Sequence, residues 1–277
     1  MRWATARSRL RCVSKPSARP SCALTCHLSP SPTVTTVEGP DTRWLAGPES
    51  ICRELVLDVY EAVASRRAVR RFSGEPISRA TLERVLSAAA RSPSGANLQP
   101  WHVYVLTGAP LAELKKRTAE RVAAGDPGDE REYQMYPPEL KSPYRERRSA
   151  AAEQRYAALG ISREDRRSRE AAVAANWDCF GAPAALFCYI DRDMGPAQWA
   201  DLGMYLQTVM LLLRAEGLHS CPQMAWSVYC RTVAQAVLPP PRLILFCGVS
   251  IGFEAPAVCH DRIDRAPLAE TVTLIDG

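Results

Sequence analysis

Lysine is nearly absent from this chain. Lys15, Lys115, Lys116 and Lys141 are the only lysines in 277 residues, and arginine carries the rest of the basic charge, an arginine- and alanine-rich bias expected of a GC-rich bacterial genome. Histidine is equally scarce: His27, His102, His219 and His260 occur singly, and none stands in a pattern that marks a general base. There is no GxGxxG after a strand pattern, no GxxxxGK[ST] and no HExxH, and no serine-hydrolase elbow is expected. The common dinucleotide, phosphoryl-transfer, zinc and hydrolase signatures are therefore set aside. The ten cysteines form no CxxC and keep no regular spacing, which argues against a disulfide framework and for reduced thiols, several of them on strands. Cys22, Cys26 and His27 make a poor zinc set. The most apolar run, Leu206 to Leu213, is closed off by Asp201 and Arg214, well short of the ~20 residues of a membrane span. An enzyme with so few candidate side chains needs a bound group to carry its chemistry.

Acidic residues are missing from the start of the chain, where the first is Glu38. Residues 1–50 hold seven basic against three acidic residues, so most of the formal charge of +5 lies there and the remainder is close to neutral. A nucleic-acid backbone binder is disfavoured by that distribution. This leader is rich in Ser, Pro, Thr and Arg without apolar periodicity, and is expected to be disordered: a start-site artefact, or a transit-like segment. Residues 51–277 are expected to form one domain, cytoplasmic in a bacterium, or mitochondrial if the leader is a transit peptide.

From Asp58 the chain becomes patterned. Tyr60, Val63 and Ala64 take helical spacing. Ser78 is an N-cap for a helix whose stripe is Leu82, Val85, Leu86 and Ala89, ending at Ser92-Pro93. The loop PSGANLQPW leads to a strand from His102 and a helix from Pro110. Residues 125–172 are charged and proline-containing, and read as a partly helical, lid-like excursion. A buried strand at Ala184–Ile190, a long apolar helix at Pro196–Ala215 stopped by Gly217, a short helix near Val233 and a strand at Leu243–Val249 follow. Strands interspersed with helices indicate α/β or α+β.

The segment SRRAVRRFSGEP, Ser65 to Pro76, raises a separate question: what anion meets Arg66, Arg67, Arg70 and Arg71? Ala68, Val69 and Phe72 interrupt the arginines, so the segment enters a packed core rather than forming a solvated face. A guanidinium fork grips phosphate oxygens bidentately; an ion-paired or solvated helix end is the alternative. In PSGANLQPW, Ser94 and Asn97 offer short polar side chains, and Gly95 allows close approach of backbone to a flat ligand.

Taken together, SRRAVRRF, PSGANLQPW, GAPAALF, DLGMYLQTVMLLLRAEGL, SCPQMAW, LFCGVSIGFEAP and RIDRAPLAETV resemble, in order, the flavin-dependent nitroreductase family, over essentially Asp58 to the C-terminus. YPPELKSPYRERR and NWDCFGAP resemble its nitrobenzoate and nitrophenol reductase-like branch. The resemblance implies an α+β, three-layer fold with an antiparallel-dominated mixed central sheet flanked by helices. It also implies a homodimer with FMN at the interface, and NAD(P)H as co-substrate. Arg66 and Arg67 match the pair meeting the FMN phosphate and ribityl chain, with Ala68 contributing backbone where many members carry Ser. Arg70 matches the basic residue at the pyrimidine side, and Arg265 the late arginine closing on the phosphate, with Arg262 a second candidate. Ser94, Gly95 and Asn97 match a loop supplied by the partner subunit. Cys221, Pro222 and Gln223 match a loop whose amides face flavin N5 and O4. Tyr144, Arg147 and Arg148, in the excursion, are substrate candidates or an exposed helix surface. The implied activity is ping-pong hydride transfer from NAD(P)H to a small-molecule acceptor, nitroaromatic or a related conjugated compound, without a metal, a nucleic acid or a membrane. A flavin-sequestering protein without turnover, or a family oxidase or dehalogenase acting on a non-nitro substrate, is the alternative.

Overall fold

The computed structural model describes residues 57–256 and 262–276. The leader, with Cys22, Cys26 and His27, lies outside the described residues, as does His260. Seven α-helices and four strands are described: α1 Val59–Ser65, α2 Arg79–Ala89, β1 His102–Thr107, α3 Gly108–Ala123, α4 Tyr144–Ala158 and α5 Arg166–Ala174, then β2 Ala184–Asp191, α6 Pro196–Ala215, β3 His219–Gln223, α7 Cys230–Val237 and β4 Leu243–Gly252.

The sheet runs β1-β2-β4-β3, with all three pairings antiparallel. Its only parallel element among the described residues is an isolated bridge from Ala68 to Ser220 of β3. Alternation along β2 divides the core. Ala184, Leu186, Cys188 and Ile190 face α2 and α6, whereas Ala185, Phe187 and Tyr189 face α3, α7 and Trp226. With both faces covered, β2 reads as an unbroken apolar run, which is why it was legible without alternation. The register slips between Cys188, opposite Cys247, and Tyr189, opposite Leu245. Phe246 is the extra residue of this bulge, and parity along β4 inverts there. Ile244 before it and Cys247, Val249 and Ile251 after it therefore share one face. Gly248 is turned to the other, against Trp226.

α1 starts at a capping box: the Glu61 amide donates to Asp58 Oδ1 at 2.8 Å, and the Asp58 amide to Glu61 Oε2 at 3.1 Å. It buries only Ala62, leaving Val59, Tyr60 and Val63 exposed. α2 is capped by Ser78, which accepts the Thr81 amide at 3.0 Å, and buries the expected Leu82, Val85 and Ala89. α6 buries Leu202, Tyr205, Leu206, Val209, Met210 and Leu213. No helix of the described residues is long and apolar enough to cross a membrane.

β3 is the element the sequence concealed. Cys221, Pro222 and Gln223 form a strand, not a loop, and pair with Ser250, Val249 and Gly248 of β4. HSCPQ has no apolar alternation and contains a proline, which a strand accepts at an edge where no ladder donor is needed.

Candidate active site

The arginine segment is laid along the open edge of β3. The Val69 amide donates to Ser220 O at 3.1 Å and the Phe72 amide to Phe180 O at 3.0 Å, while the Ala255 amide reaches back to Arg71 O at 3.0 Å. Val69 and Phe72 are buried as anchors, so the extended chain between α1 and these anchors presents its arginines to one cleft. That cleft, about 450 Å³, is lined by Arg66, Arg67, Arg70, Arg155, Arg262 and Arg265, together with Ala68, Gln207 and the last turn of α4. The volume lies within the usual range for small-molecule and cofactor sites. No carboxylate lines it.

Six guanidinium groups in one cleft repel one another, and the electrostatics register it. Burial first, and Arg265 next, hold the Arg66 pKa below the ordinary arginine value. Arg67 has a counter-ion, Glu254, through a hydrogen-bonded ion pair, yet its Nε is buried without a partner among the described residues. Behind the pair stands His219. Arg214 Nη1 lies 3.1 Å from its Nε2. Because arginine only donates, Nε2 must accept, and the ring is neutral. Burial first, and Arg214 next, bring the His219 pKa down to about 4. Glu254 Oε2, 3.7 Å away, consequently serves Arg67 rather than an imidazolium.

Cys221 is buried beneath the cleft. Desolvation raises its thiol to about 11 despite Arg70, Arg155 and Arg66 nearby, so the sulfur is a neutral packing group at physiological pH. Gln223 is also occupied: its Nε2 donates to Asn176 O at 2.9 Å, and its Oε1 accepts from Ser250 Oγ and, at 3.4 Å, from Trp226 Nε1. Cys221, Pro222 and Gln223 do not line the cleft, and of the three only Pro222 is exposed. Gly248 to Gly252 do spell GxSxG, but they run along β4 with Ser250 fully buried. The strand-to-helix elbow that exposes a nucleophile is missing there.

The cleft gathers Arg66, Arg67, Ala68, Arg70 and Arg265 as expected from the sequence, together with the second candidate Arg262. Ser94, Gly95 and Asn97 do not line it. They form an exposed turn pinned to α6, where the Gly95 amide donates to the buried Asp201 carboxylate at 3.3 Å. Ala96, Asn97 and Gln99 have φ of 49°, 58° and 48°, on either side of a right-handed Leu98, left-handed positions that strain non-glycine residues, the asparagine least. Tyr144, Arg147 and Arg148 lie at the far end of α4. Tyr144 is exposed, Arg147 donates to Glu270 at 2.8 Å, and Arg148 rests 4.5 Å over the Tyr136 ring. The opposite end of that helix borders the cleft, through Arg155, Ala158 and Leu159. Its position is linked to the Arg265 segment, because Gln154 exchanges bonds of 2.6 and 3.1 Å with Asp264. Arg155 went unread because it lies in an arginine-rich stretch where nothing local singles it out. Among the described residues, no three His, Cys, Asp or Glu side chains could hold a metal.

The donor set fits a phosphate-bearing cofactor such as FMN: clustered forks, an orphaned buried Nε on Arg67 and no competing carboxylate in the lining. Comparison with known proteins agrees. The model of the nitroreductase family matches residues 63–253. A 4-nitrobenzoate reductase of Nocardioides sp. (strain LMS-CY) is 32% identical over 82% of this chain and 96% of its own. One from Pseudomonas putida is 35% identical over 72% of this chain and 87% of its own. Among solved structures, the FMN and NADPH-dependent nitroreductase NfnB from sphigopyxis sp. strain HMH is 42% identical, with a TM-score of 0.77 over 80% of this chain and all of that one. The FMN-dependent NfnB from Mycobacterium smegmatis, in complex with NADPH, is 29% identical, with a TM-score of 0.73 over 79% of this chain and all of that one.

Proposed function

The chain belongs to the nitroreductase family, and from that premise we propose that the arginine cleft holds FMN and that the protein is an NAD(P)H-dependent flavin oxidoreductase reducing nitroaromatic compounds. The observation that carries the reading is the cleft itself, six arginines without a lining carboxylate.

Arg66, Arg67 and Arg265 would hold the phosphate, the second of them oriented by Glu254. Arg70, whose Nη1 donates to Ala68 O at 3.3 Å, would face the pyrimidine side and favour negative charge there. The backbone of Cys221 and Pro222 would meet the ring edge. When bound, FMN supplies the two-electron, hydride-carrying chemistry, and the protein binds, orients and excludes water. α4 and α5, within residues 125–172, would act as a cover that sets access.

We read the working unit as a homodimer. The uncovered Val59, Tyr60 and Val63 of α1 and Met204 of α6, with the strained turn at Ser94–Asn97, support a face closed by a second copy. Residues 51–277 would be the catalytic domain, working in the cytoplasm, and residues 1–50 a dispensable leader whose removal leaves FMN content unchanged. The test of the function is anaerobic mixing with NADPH, then NADH, following the oxidised-flavin absorbance. Bleaching, with recovery on addition of 4-nitrobenzoate, is expected. A yellow protein that never bleaches indicates a flavin-sequestering role, and a protein that binds no FMN refutes the assignment.

A further inference from the structure

The cleft holds more positive charge than the cofactor assignment uses. Of its six arginines, the phosphate would occupy Arg66, Arg265 and Arg67, the last of them also paired with Glu254, and the pyrimidine side would occupy Arg70. Arg155 remains, with the exposed Arg262.

Arg155 is partly buried in the wall formed by α4. Its Nη2 donates to Ala172 O of α5 at 3.0 Å, and its Nε is buried without a partner among the described residues. Among the described residues no carboxylate forms an ion pair with it. Arg70 is the charged group that acts on it most, and Cys221 beside it is a protonated thiol. Burial and then Arg70 push the Arg155 pKa down, yet a guanidinium stays charged under any working condition. The Tyr156 ring, with its centroid 5.5 Å from the Arg155 guanidinium carbon, is a weak partner, and a half-buried cation beside a second cation and without a carboxylate is costly.

Resting on the flavin-reductase reading, we propose that Arg155 is a specificity-determining residue that holds an anionic group of the reacting partner at the α4 wall of the cleft. Two partners carry that chemistry: an aromatic acceptor through its carboxylate, or NADPH through its 2′-phosphate. The position suits this role, since α4 borders the cleft and is tied through Arg155 to α5, so an anion bound there would draw both helices of the cover together.

The experiment uses the FMN-loaded full chain and its Arg155→Gln and Arg155→Lys variants. The flavin spectrum is titrated with benzoate, which cannot be reduced, and with benzamide, its neutral counterpart. Separately, kcat/KM is compared for NADPH and NADH, and the FMN Kd is measured by fluorescence. A charge-assisted bond corresponds to about a ten- to hundredfold preference. For the acceptor source, wild type prefers benzoate over benzamide by that factor and Arg155→Gln loses the preference. For the nucleotide source, the NADPH to NADH ratio collapses instead. Arg155→Lys retains part of either preference, as a point charge without the fork. The proposal is overturned if both preferences survive Arg155→Gln, or if only the FMN Kd weakens, which would make Arg155 a cofactor ligand. Should Arg155→Gln fail to fold, a wild type without either preference overturns it equally. A wild type that binds FMN and is reduced yet shows no preference refutes this proposal alone, whereas one that binds no FMN refutes the functional reading.

Discussion

Substituting Gly248 by alanine should damage both the fold and the cofactor site, and the size of the effect can be worked out from one contact. A Cβ at Gly248 would lie 2.5 Å from Trp226 Cδ1, 3.1 Å from its Nε1 and 3.2 Å from its Cγ. The indole has no room to retreat. It is fully buried, with Phe187 packed edge-on at 5.4 Å and 85° and Trp177 at 5.4 Å and 76°. Gly248 lies inside β4 with no left-handed φ, so alanine fits the backbone and would by itself stabilise by about 0.4–1 kcal/mol through the unfolded chain. Overpacking a closed core costs about 1–3 kcal/mol. Sterics win, and the net loss is about 1–2 kcal/mol, a fall in Tm of about 2–8 °C for a domain of this size.

The displacement should also reach the cleft. Trp226 Nε1 bonds Gln223 Oε1, and Gln223 closes the strand that contains Cys221 and Pro222. Thermal unfolding of the apoprotein and fluorescence titration with FMN should therefore both be affected. Trp226→Ala removes all three struck atoms, so in that background Gly248→Ala should cost at least about 1 kcal/mol less, a coupling typical of residues in contact. An unchanged Tm, or additive effects in the double variant, would refute the reasoning.

If Arg66 holds the FMN phosphate as proposed, Arg66→Ala should raise the FMN Kd about ten- to hundredfold; an unchanged Kd would place the phosphate elsewhere. The His219 pKa is held at about 4 in the fold against an ordinary 6.5, so the unfolded chain binds the extra proton between those values. Stability is full above about pH 6.5 and is lost as pH falls toward 4, by roughly 2–3 kcal/mol. Urea unfolding across that window should show the slope, and His219→Gln should flatten it. Cys221, with its thiol raised to about 11, should resist iodoacetamide in the native protein at pH 7.5 and react in urea, as read by peptide mass spectrometry. Rapid native alkylation would contradict its burial.

Much of the fold was legible because its elements carry complete local signals. Asp58 and Ser78 cap their helices and α2 buries three of the four residues of its apolar stripe, with Leu86 partly covered, while β2 is apolar throughout because both its faces are covered. β3 was illegible for the converse reason. Its residues are specified by β4 opposite and by the arginine segment on its open edge, and no short-range pattern encodes a strand whose register is set entirely by neighbours distant in sequence. The bulge at Phe246 was equally hidden, and with it the fact that Gly248 faces an indole.

The site divides along the same line. Arg66, Arg67 and Arg70 stand out as a local cluster, and Val69 and Phe72 between them announce that the cluster enters a core. Arg155 has no such neighbourhood: Arg145, Arg147, Arg148 and Arg163 flank it with the same charge, and only the tertiary fold separates it from them. What singles it out is the loss of its alternatives. Arg145 reaches Glu146 and Arg147 reaches Glu270, whereas Arg155 is turned inward to a carbonyl, the Tyr156 ring, a thiol and another arginine. Each exposed arginine needs only water to offset its charge. A half-buried one without a carboxylate is better served by an anion that arrives with the ligand, and on the proposed reading α4 would take part in choosing the acceptor or the nucleotide rather than act as a passive roof.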